Sequence, residues 1–189
     1  MKKEIPKVEL LKKELARENY KSKFRVTLIS TVNTLIVVAA FAILVATLWM
    51  PVLRIYGNSM APTLEEGQVV VSIKTSDIET GDLVAFYLGN KMLVKRLIAT
   101  PGDVVNINDE GTVSVNGEKL YEPYITEKSI GECDLNFPYQ IPESRYFVMG
   151  DHRSTSIDSR SNLVGCISEE QLVGKIIFCV WPLSEFGPI

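Results

Sequence analysis

Apolar residues fill one long stretch near the start of the chain and recur later only in short runs. From Val26 to Leu53 there is no Asp, Glu, Lys or Arg, and the centre of this stretch, LIVVAAFAILVATLWM, is almost wholly apolar. About 20 residues at a rise of 1.5 Å each cross the hydrocarbon layer of a bilayer. The pattern therefore predicts one transmembrane helix over residues 26–50, which Pro51 ends.

After Pro51 the pattern changes to short β-rich runs separated by Gly, Pro, Asn and Asp. The runs are QVVVSIK, DLVAFYL, KMLVKRLIA, DVVNIN, TVSVNGEKLY, YFVMG and KIIFCVW. Asn116-Gly117 and Gly89-Asn90 are hairpin signals, and TPGD at 100–103 predicts a further turn. The residues after the membrane span are therefore predicted to be mostly β, with one short helical turn that begins at Ser168.

Charge is distributed unevenly about the apolar stretch. Residues 1–25 hold nine Lys or Arg and four Glu, a net charge of +5, whereas the whole chain carries −3, so the remainder carries −8. By the positive-inside rule, residues 1–25 are predicted to be cytoplasmic and the residues after Pro51 to lie outside the cell membrane. The basic end suits a membrane-lipid surface, and the acidic main domain argues against nucleic acid as a partner.

A cleaved secretory signal is the competing interpretation of the apolar stretch, because Ala40 and Ala42 resemble a cleavage site. Signal sequences place about 7 to 15 apolar residues after a short basic start. Here the start is 25 residues long and the apolar run continues past both alanines. A retained anchor is therefore favoured.

A lone serine stands in the first loop after the predicted helix, RIYGNSMAPTLEEG, residues 54–67. Gly57, Pro62 and Gly67 surround Ser59, so the backbone is predicted to turn several times. Such a loop either presents the hydroxyl for chemistry or is a plain connector. The loop sequence alone favours the connector.

A lysine stands among apolar residues in the run KMLVKRLIA. Strand alternation places Leu93, Lys95 and Leu97 on one face. One interpretation is that the lysine stem covers apolar surface while the amine reaches water. The other is an amine in a poorly hydrated site, where its pKa is lowered and it serves as a general base.

Histidine and cysteine usage limits the other kinds of site. His152 is the one histidine, so a multi-histidine metal site is excluded and any Ser-His-Asp arrangement must use it. Cys133, Cys166 and Cys179 show no C-x-x-C spacing. A disulfide between Cys133 and Cys166 stays open as an alternative.

A third dense segment is MGDHRSTSIDSR, residues 149–160. It holds two aspartates, two arginines and several hydroxyls directly after the strand YFV. A solvated charged loop is the simpler interpretation. The alternative is a loop that orients a reactive amine by hydrogen bonds and is itself held by ion pairs.

Taken together, GNSMAPTL, VKRLIATPGD and MGDHRSTSIDSR behind a single anchor resemble the bacterial type I signal peptidases. These are Ser-Lys membrane proteases that cut signal peptides from exported proteins. The resemblance implies that Ser59 is the nucleophile and Lys95 the general base. It further implies that Ser156 hydrogen-bonds the lysine amine, that Asp158 and Arg160 form a structural ion pair, and that no metal or cofactor is used.

The resemblance also implies a fold and a substrate. The fold is a compact antiparallel β-sheet catalytic domain at residues 51–189, with a small β extension at about 106–143, tethered by the one N-terminal helix. Secretory preproteins with small residues before the cleavage site would bind between the chain before Ser59 and the strand before Lys95.

Two positions depart from the family pattern. Some members have a hydroxyl two residues before the nucleophile, where this chain has Gly57, so a backbone group must supply that oxyanion contact. His152 replaces the asparagine of many relatives, which leaves the contribution of this position open. A self-cleaving repressor-type Ser-Lys peptidase and a non-catalytic β module that binds secreted proteins are the alternative functions.

Overall fold

The computed structural model describes residues 8–75 and 77–189, without the side chains of Thr47 and Trp49. The chain forms two compact units, one ending at Leu48 and the other beginning at Trp49. The first seven residues of the predicted basic segment lie outside the described residues.

The first unit is one helix, α1 (Val8–Trp49), 42 residues long. It begins earlier than the predicted 26–50 span, because the charged segment before that span is rich in Leu, Lys, Glu and Arg, which are strong helix formers. Neither Gly nor Pro interrupts it, and its described side chains are all exposed. By length and composition the helix is able to cross a membrane.

The second unit is built from β-strands. In chain order these are β1 (Val52–Arg54), β2 (Val69–Ile73), β3 (Leu83–Leu88), β4 (Lys91–Ala99), β5 (Val104–Ile107), β6 (Val113–Val115), β7 (Glu118–Lys119), β8 (Tyr139–Gln140), β9 (Arg145–Met149), β10 (Ile167–Ser168), β11 (Leu172–Trp181) and β12 (Gly187–Pro188). Two 3-10 turns, Glu169–Gln171 and Leu183–Glu185, flank β11. The first is the turn predicted to begin at Ser168.

The strands form two antiparallel sheets. The larger has the order β1-β2-β11-β3-β4-β9-β10, with β12 also paired to β11, and the smaller has the order β7-β6-β5-β8. The smaller sheet supplies the β extension, so the predicted fold class is confirmed. The three cysteines are free thiols, and the Cys133–Cys166 disulfide is not formed.

The turns follow the sequence signals. Asn116 and Gly117 join β6 to β7 with φ of 53° and 84°, the left-handed conformation that a two-residue hairpin of this kind requires. Gly89 joins β3 to β4 with φ of 58°. The predicted turn at 100–103 is closed by the Asp103 N–H, which donates to the Thr100 carbonyl at 3.2 Å.

Three apolar clusters hold the sheets together. One packs Ile98 and Phe147 of the larger sheet with Val105 and Val113 of the smaller. Another lies beneath the first loop of the unit and contains Ile55, Met60 and Leu64. The third is built around Val84, Phe86 and Leu97. The loop that carries Ser59 is therefore packed on the core of the larger sheet.

Candidate active site

Ser59 lies in the loop between β1 and β2, and both flanks of the loop are fixed. The Ile55 N–H donates to the Gln68 carbonyl at 2.8 Å, and the Gly67 N–H donates to the Ile55 carbonyl at 3.0 Å. Ile55 and Met60, on either side of the serine, are buried. Because these anchors hold the backbone, the half-buried Ser59 hydroxyl is presented at a fixed position.

Lys95 is only 4% exposed, and its amine meets two serine hydroxyls. Nζ donates to Ser59 Oγ at 2.8 Å and to Ser156 Oγ at 2.9 Å. Leu93 and Leu97 lie in the apolar cluster of the same sheet face, as strand alternation predicts. The amine therefore stands between two hydroxyls at the end of a desolvated stem.

The environment of Lys95 favours the neutral amine. Burial lowers the pKa of Lys95 from 10.5 to about 8, because desolvation disfavours the ammonium form. The Asp158 carboxylate opposes this effect and raises the pKa, whereas the Arg160 guanidinium lowers it. A measurable fraction of the amine is therefore neutral near pH 7.

Asp158 and Arg160 form a fully buried ion pair beneath Ser156. Arg160 Nε donates to Asp158 Oδ1 and Nη2 donates to Oδ2, both at 2.8 Å. Asp158 Oδ2 also accepts the Gly150 N–H at 2.9 Å. The pair therefore joins the two ends of the loop that carries Ser156.

Gly150 permits the close approach of the nucleophile loop to the Ser156 loop. A Cβ at this position would lie 2.5 Å from Ser156 Cβ and 2.5 Å from the Ser59 carbonyl oxygen. Its φ is not in the left-handed region, so space, not backbone conformation, requires glycine here. The sequence placed Gly150 at the end of the predicted β run YFVMG, and nothing there indicated a steric role for this glycine.

His152 links the two serine loops of the site through its backbone N–H and carbonyl groups. The His152 N–H donates to the Ser59 carbonyl at 3.1 Å, and its own carbonyl accepts the Ser156 N–H at 3.1 Å. Any residue other than proline supplies these two groups. A histidine in place of asparagine therefore preserves the main-chain link between the two serines.

A second ion pair, not foreseen from the sequence, ties β4 to the nucleophile loop. Arg96 Nε donates to Asp151 Oδ1 at 2.8 Å and Nη2 donates to Oδ2 at 2.5 Å. Thr63 Oγ1 donates to Asp151 Oδ2 at 2.5 Å. Removing one member of a buried pair typically costs about 3–5 kcal/mol, because the remaining charge is left without a partner. The network therefore fixes the three segments relative to one another.

The segment between β7 and β8, which belongs to the β extension, supports the same loop. The Glu122 carboxylate forms an ion pair with the buried Arg153 guanidinium. Arg153 Nε also donates to the Gly150 carbonyl at 3.1 Å. Arg160 Nη1 donates to the Ile130 carbonyl at 2.7 Å. The extension thus packs its backbone and one carboxylate against the arginines of the Ser156 loop.

A groove leads away from the two reactive side chains. It has a volume of about 450 Å³ and is lined by residues 54–57, 59–60 and 91–95. One wall is the edge of β4: residues 91–95 pair with β3 on one side, whereas pairing with β9 begins only at Arg96. Within the described residues, this edge carries no strand partner beside Lys95.

Comparison with known proteins identifies relatives that share most of the chain. A family model described as signal peptidase, peptidase S26, matches residues 28–181. The signal peptidase I of Bacillus licheniformis is 36% identical over 172 residues, which cover 84% of this chain and 91% of that protein. The signal peptidase IB of Staphylococcus aureus strain COL is 39% identical over 152 residues, covering 70% and 78%. A crystal structure of a signal peptidase I from Enterococcus faecalis V583 is 26% identical, with a TM-score of 0.46, and covers 54% of this chain and 98% of that one.

Proposed function

The chain belongs to the signal peptidase I family of serine endopeptidases, peptidase S26, and on that premise we propose that Ser59 and Lys95 carry out the removal of signal peptides from secretory preproteins. Membership of this family decides against the repressor-type and non-catalytic alternatives. The observation that supports these two roles is the 2.8 Å hydrogen bond between the buried Lys95 amine and the half-buried Ser59 hydroxyl.

Lys95 acts as the general base in this proposal. The neutral amine takes the Ser59 proton while Oγ attacks the scissile carbonyl. The resulting Lys95 ammonium gives that proton to the leaving nitrogen as the peptide C–N bond breaks, and an acyl-enzyme remains. Water, activated by the same amine, then releases the mature protein. Ser156 orients the amine, and the Asp158–Arg160 pair holds Ser156 in place.

The tetrahedral oxyanion needs a preorganised donor beside Ser59. Among the described residues the Ser59 N–H has no protein acceptor, so it is available to the oxyanion. Gly57, two residues earlier, offers no side-chain donor. One such donor typically contributes about 3–4 kcal/mol to lowering the barrier.

The preprotein binds as an added strand at the open edge of β4. Backbone groups of residues 91–95 supply the hydrogen bonds, and side chains entering the groove supply specificity. Ile55, Met92 and Val94 supply apolar surface to the groove lining. Small side chains one and three positions before the cut fit such shallow apolar pockets.

This proposal predicts graded cleavage of a preprotein series with Ala, Ser, Val, Leu or Asp at those two positions. One added methylene in an apolar pocket changes the barrier by about 1–3 kcal/mol. We expect Ala and Ser to be cut fastest, Val and Leu progressively more slowly, and Asp hardly at all. Rates are measured with the full-length protein in detergent, and the new N-terminus is sequenced. Equal rates throughout would indicate a different specificity.

The lysine predicts the direction of the pH dependence. Since the base must be neutral and its pKa lies at about 8, kcat/KM is expected to rise through that pH and level off above it. Below the pKa the slope is about tenfold per pH unit. A pre-steady-state pH profile measures this limb. A profile that shows no rise between about pH 7 and about pH 9, within about one unit of the expected midpoint, would contradict Lys95 as the base.

We further propose that the apolar part of α1, from Val26 to Trp49, lies in membrane lipid, with residues 1–25 in the cytoplasm and residues 51–189 outside. The basic residues before the apolar stretch support this orientation. A Glu118→Cys variant, with its exposed site on β7, is expected to react with an impermeant maleimide in intact cells, beyond the background of the wild-type protein. Reaction only after the cytoplasm is opened would reverse the orientation.

A further inference from the structure

The end of the groove remote from Ser59 carries two cations. The groove is bounded by two runs, 54–57 and 91–95, and both reach the reactive pair at their C-terminal ends. Arg54 and Lys91 therefore begin these runs, and both side chains are exposed. Lys95 is the third basic residue of the groove lining, in which the described residues include no carboxylate.

Neither cation forms an ion pair with the part of the chain that the structure describes. Among the described residues, no carboxylate lies within ion-pairing distance of Arg54 or Lys91. The Arg54 guanidinium lies 5.7 Å from the centroid of the Tyr56 ring, which orders it at the groove wall. Glu65, Glu66 and Glu185 line a neighbouring cavity that Arg54 also borders, so Lys91 carries the less compensated charge.

The distance to the reactive pair assigns the cations to one part of a substrate. Lys91 precedes Lys95 by four residues of a single strand, about 13 Å at 3.3 Å per residue. A strand added beside this edge would bring its residues about four to six positions before the cut next to Lys91 and Arg54. In a signal peptide this is where the small-residue segment meets the C-terminal end of the apolar helix.

We propose that Arg54 and Lys91 form a subsite for negative charge at this point of the preprotein. The ligand is an oxygen acceptor: the free carbonyl groups that end the substrate helix, where the macrodipole is negative, or an acidic side chain at the same place. This inference rests on the proposed function, since it takes the residues before the cut to occupy the groove. It adds a determinant that the small-residue pockets do not contain.

The test compares three preproteins that differ only at the fifth residue before the cut, which is Asp, Asn or Lys. The full-length protein in uncharged detergent at low salt is expected to show kcat/KM in the order Asp, Asn, Lys, each step by about three- to fivefold, the upper end of the range for exposed charge pairs. In an Arg54→Gln/Lys91→Gln variant the three values are expected to lie within about twofold of one another. Lys119→Gln, which removes an exposed lysine of β7, is the matched control and keeps the wild-type order.

The Asn substrate distinguishes the two ligands. If helix carbonyls bind the cations, the double variant also cuts the Asn substrate more slowly, whereas a loss confined to the Asp substrate identifies the side chain. Equal cleavage of all three substrates by the wild-type protein, at rates that the double variant reproduces, would overturn the subsite. A charge effect that appears only when an anionic lipid is added would overturn it too, by assigning the cations to headgroups. Failure to cut any substrate would instead count against the proposed function.

Discussion

Replacing Lys95 by methionine is expected to lower kcat/KM for preprotein cleavage by at least about a thousandfold, a typical effect of removing one member of a catalytic unit. Methionine fills a similar volume but cannot accept the Ser59 proton. Ser59→Ala should give a loss of the same order, because the two side chains act together. The double variant should be no worse than either single one.

The fold should survive the loss of Lys95. Its pKa is about 8 in the folded protein against an ordinary value of 10.5, so folding near pH 7 must bury a charge that prefers water. Burying the ammonium lowers the free energy of unfolding, and this loss is recovered only as the pH rises from 8 towards 10.5. Lys95→Met removes the cost of burying this charge, so the variant should melt at no lower a temperature than the wild-type protein at pH 7.

A matched control distinguishes the loss of activity in Lys95→Met from the effect of replacing any lysine of the sheet. Lys175 lies on β11, two strands away in the sheet, and its amine pairs with Asp82 at 2.7 Å at a partly exposed site. Lys175→Met should keep wild-type kcat/KM. Preprotein cleavage at near the wild-type rate by Lys95→Met would eliminate the proposed mechanism.

Ser156→Ala and Ser154→Ala are a second variant and its matched control. Ser156 Oγ accepts from the Lys95 amine but does not reach the scissile bond, so Ser156→Ala should only slow cleavage. Ser154 is exposed in the same loop, and Ser154→Ala should have no effect.

Local sequence signals were sufficient for much of the fold. Hairpin turns need left-handed backbone, and Asn116, Gly117 and Gly89 supply it at little steric cost, so the strands on either side could be placed. Alternation along β4 placed Lys95 on an apolar face, and the structure buries it there. These features depend on neighbours within a few residues, which is why a sequence reveals them.

The supporting contacts of the site depend on residues far apart in the chain. Arg153 and Glu122 are separated by 31 positions and Arg96 and Asp151 by 55, so only the folded topology brings them together. Charged residues are rarely buried unless paired, and the pairing could not be read without that topology. Segment 121–143 was therefore predicted only as part of the small β extension, and its contacts with the Ser156 loop were not foreseen.

The contrast also explains why the steric role of Gly150 escaped prediction. A glycine after a strand usually indicates a turn that needs positive φ, and Gly150 has no such conformation. Glycine is required because the nucleophile loop and the Ser156 loop lie side by side here. The hydrogen-bond networks of Asp158 and Asp151 fix the distance between these two loops. Glycine is needed here because Ser156 and the Ser59 carbonyl occupy the volume of a Cβ.

Gly150→Ala is accordingly expected to lower kcat by about a hundredfold or more, since a displacement of about 1 Å in a catalytic group has effects of this size. The added methyl group must push away Ser156, the Ser59 carbonyl or both. Either movement lengthens a contact of Lys95. Alanine can adopt the backbone conformation, so the loss should come from displaced side chains in a folded protein.

Two other glycines allow the cause to be identified. Gly187→Ala adds a methyl group where no atom lies within 4 Å, and Gly174→Ala crowds the Ile73 backbone on β2. We expect Gly187→Ala to resemble the wild-type protein, and Gly174→Ala to melt at a lower temperature while its folded fraction keeps the wild-type kcat. Gly150→Ala should combine a modest loss of melting temperature with a large loss of kcat per folded molecule, measured by preprotein cleavage and thermal unfolding on the same samples. A Gly150→Ala protein that loses activity only in proportion to its unfolded fraction would show that the two loops tolerate separation, because a mere loss of stability leaves the surviving active sites intact.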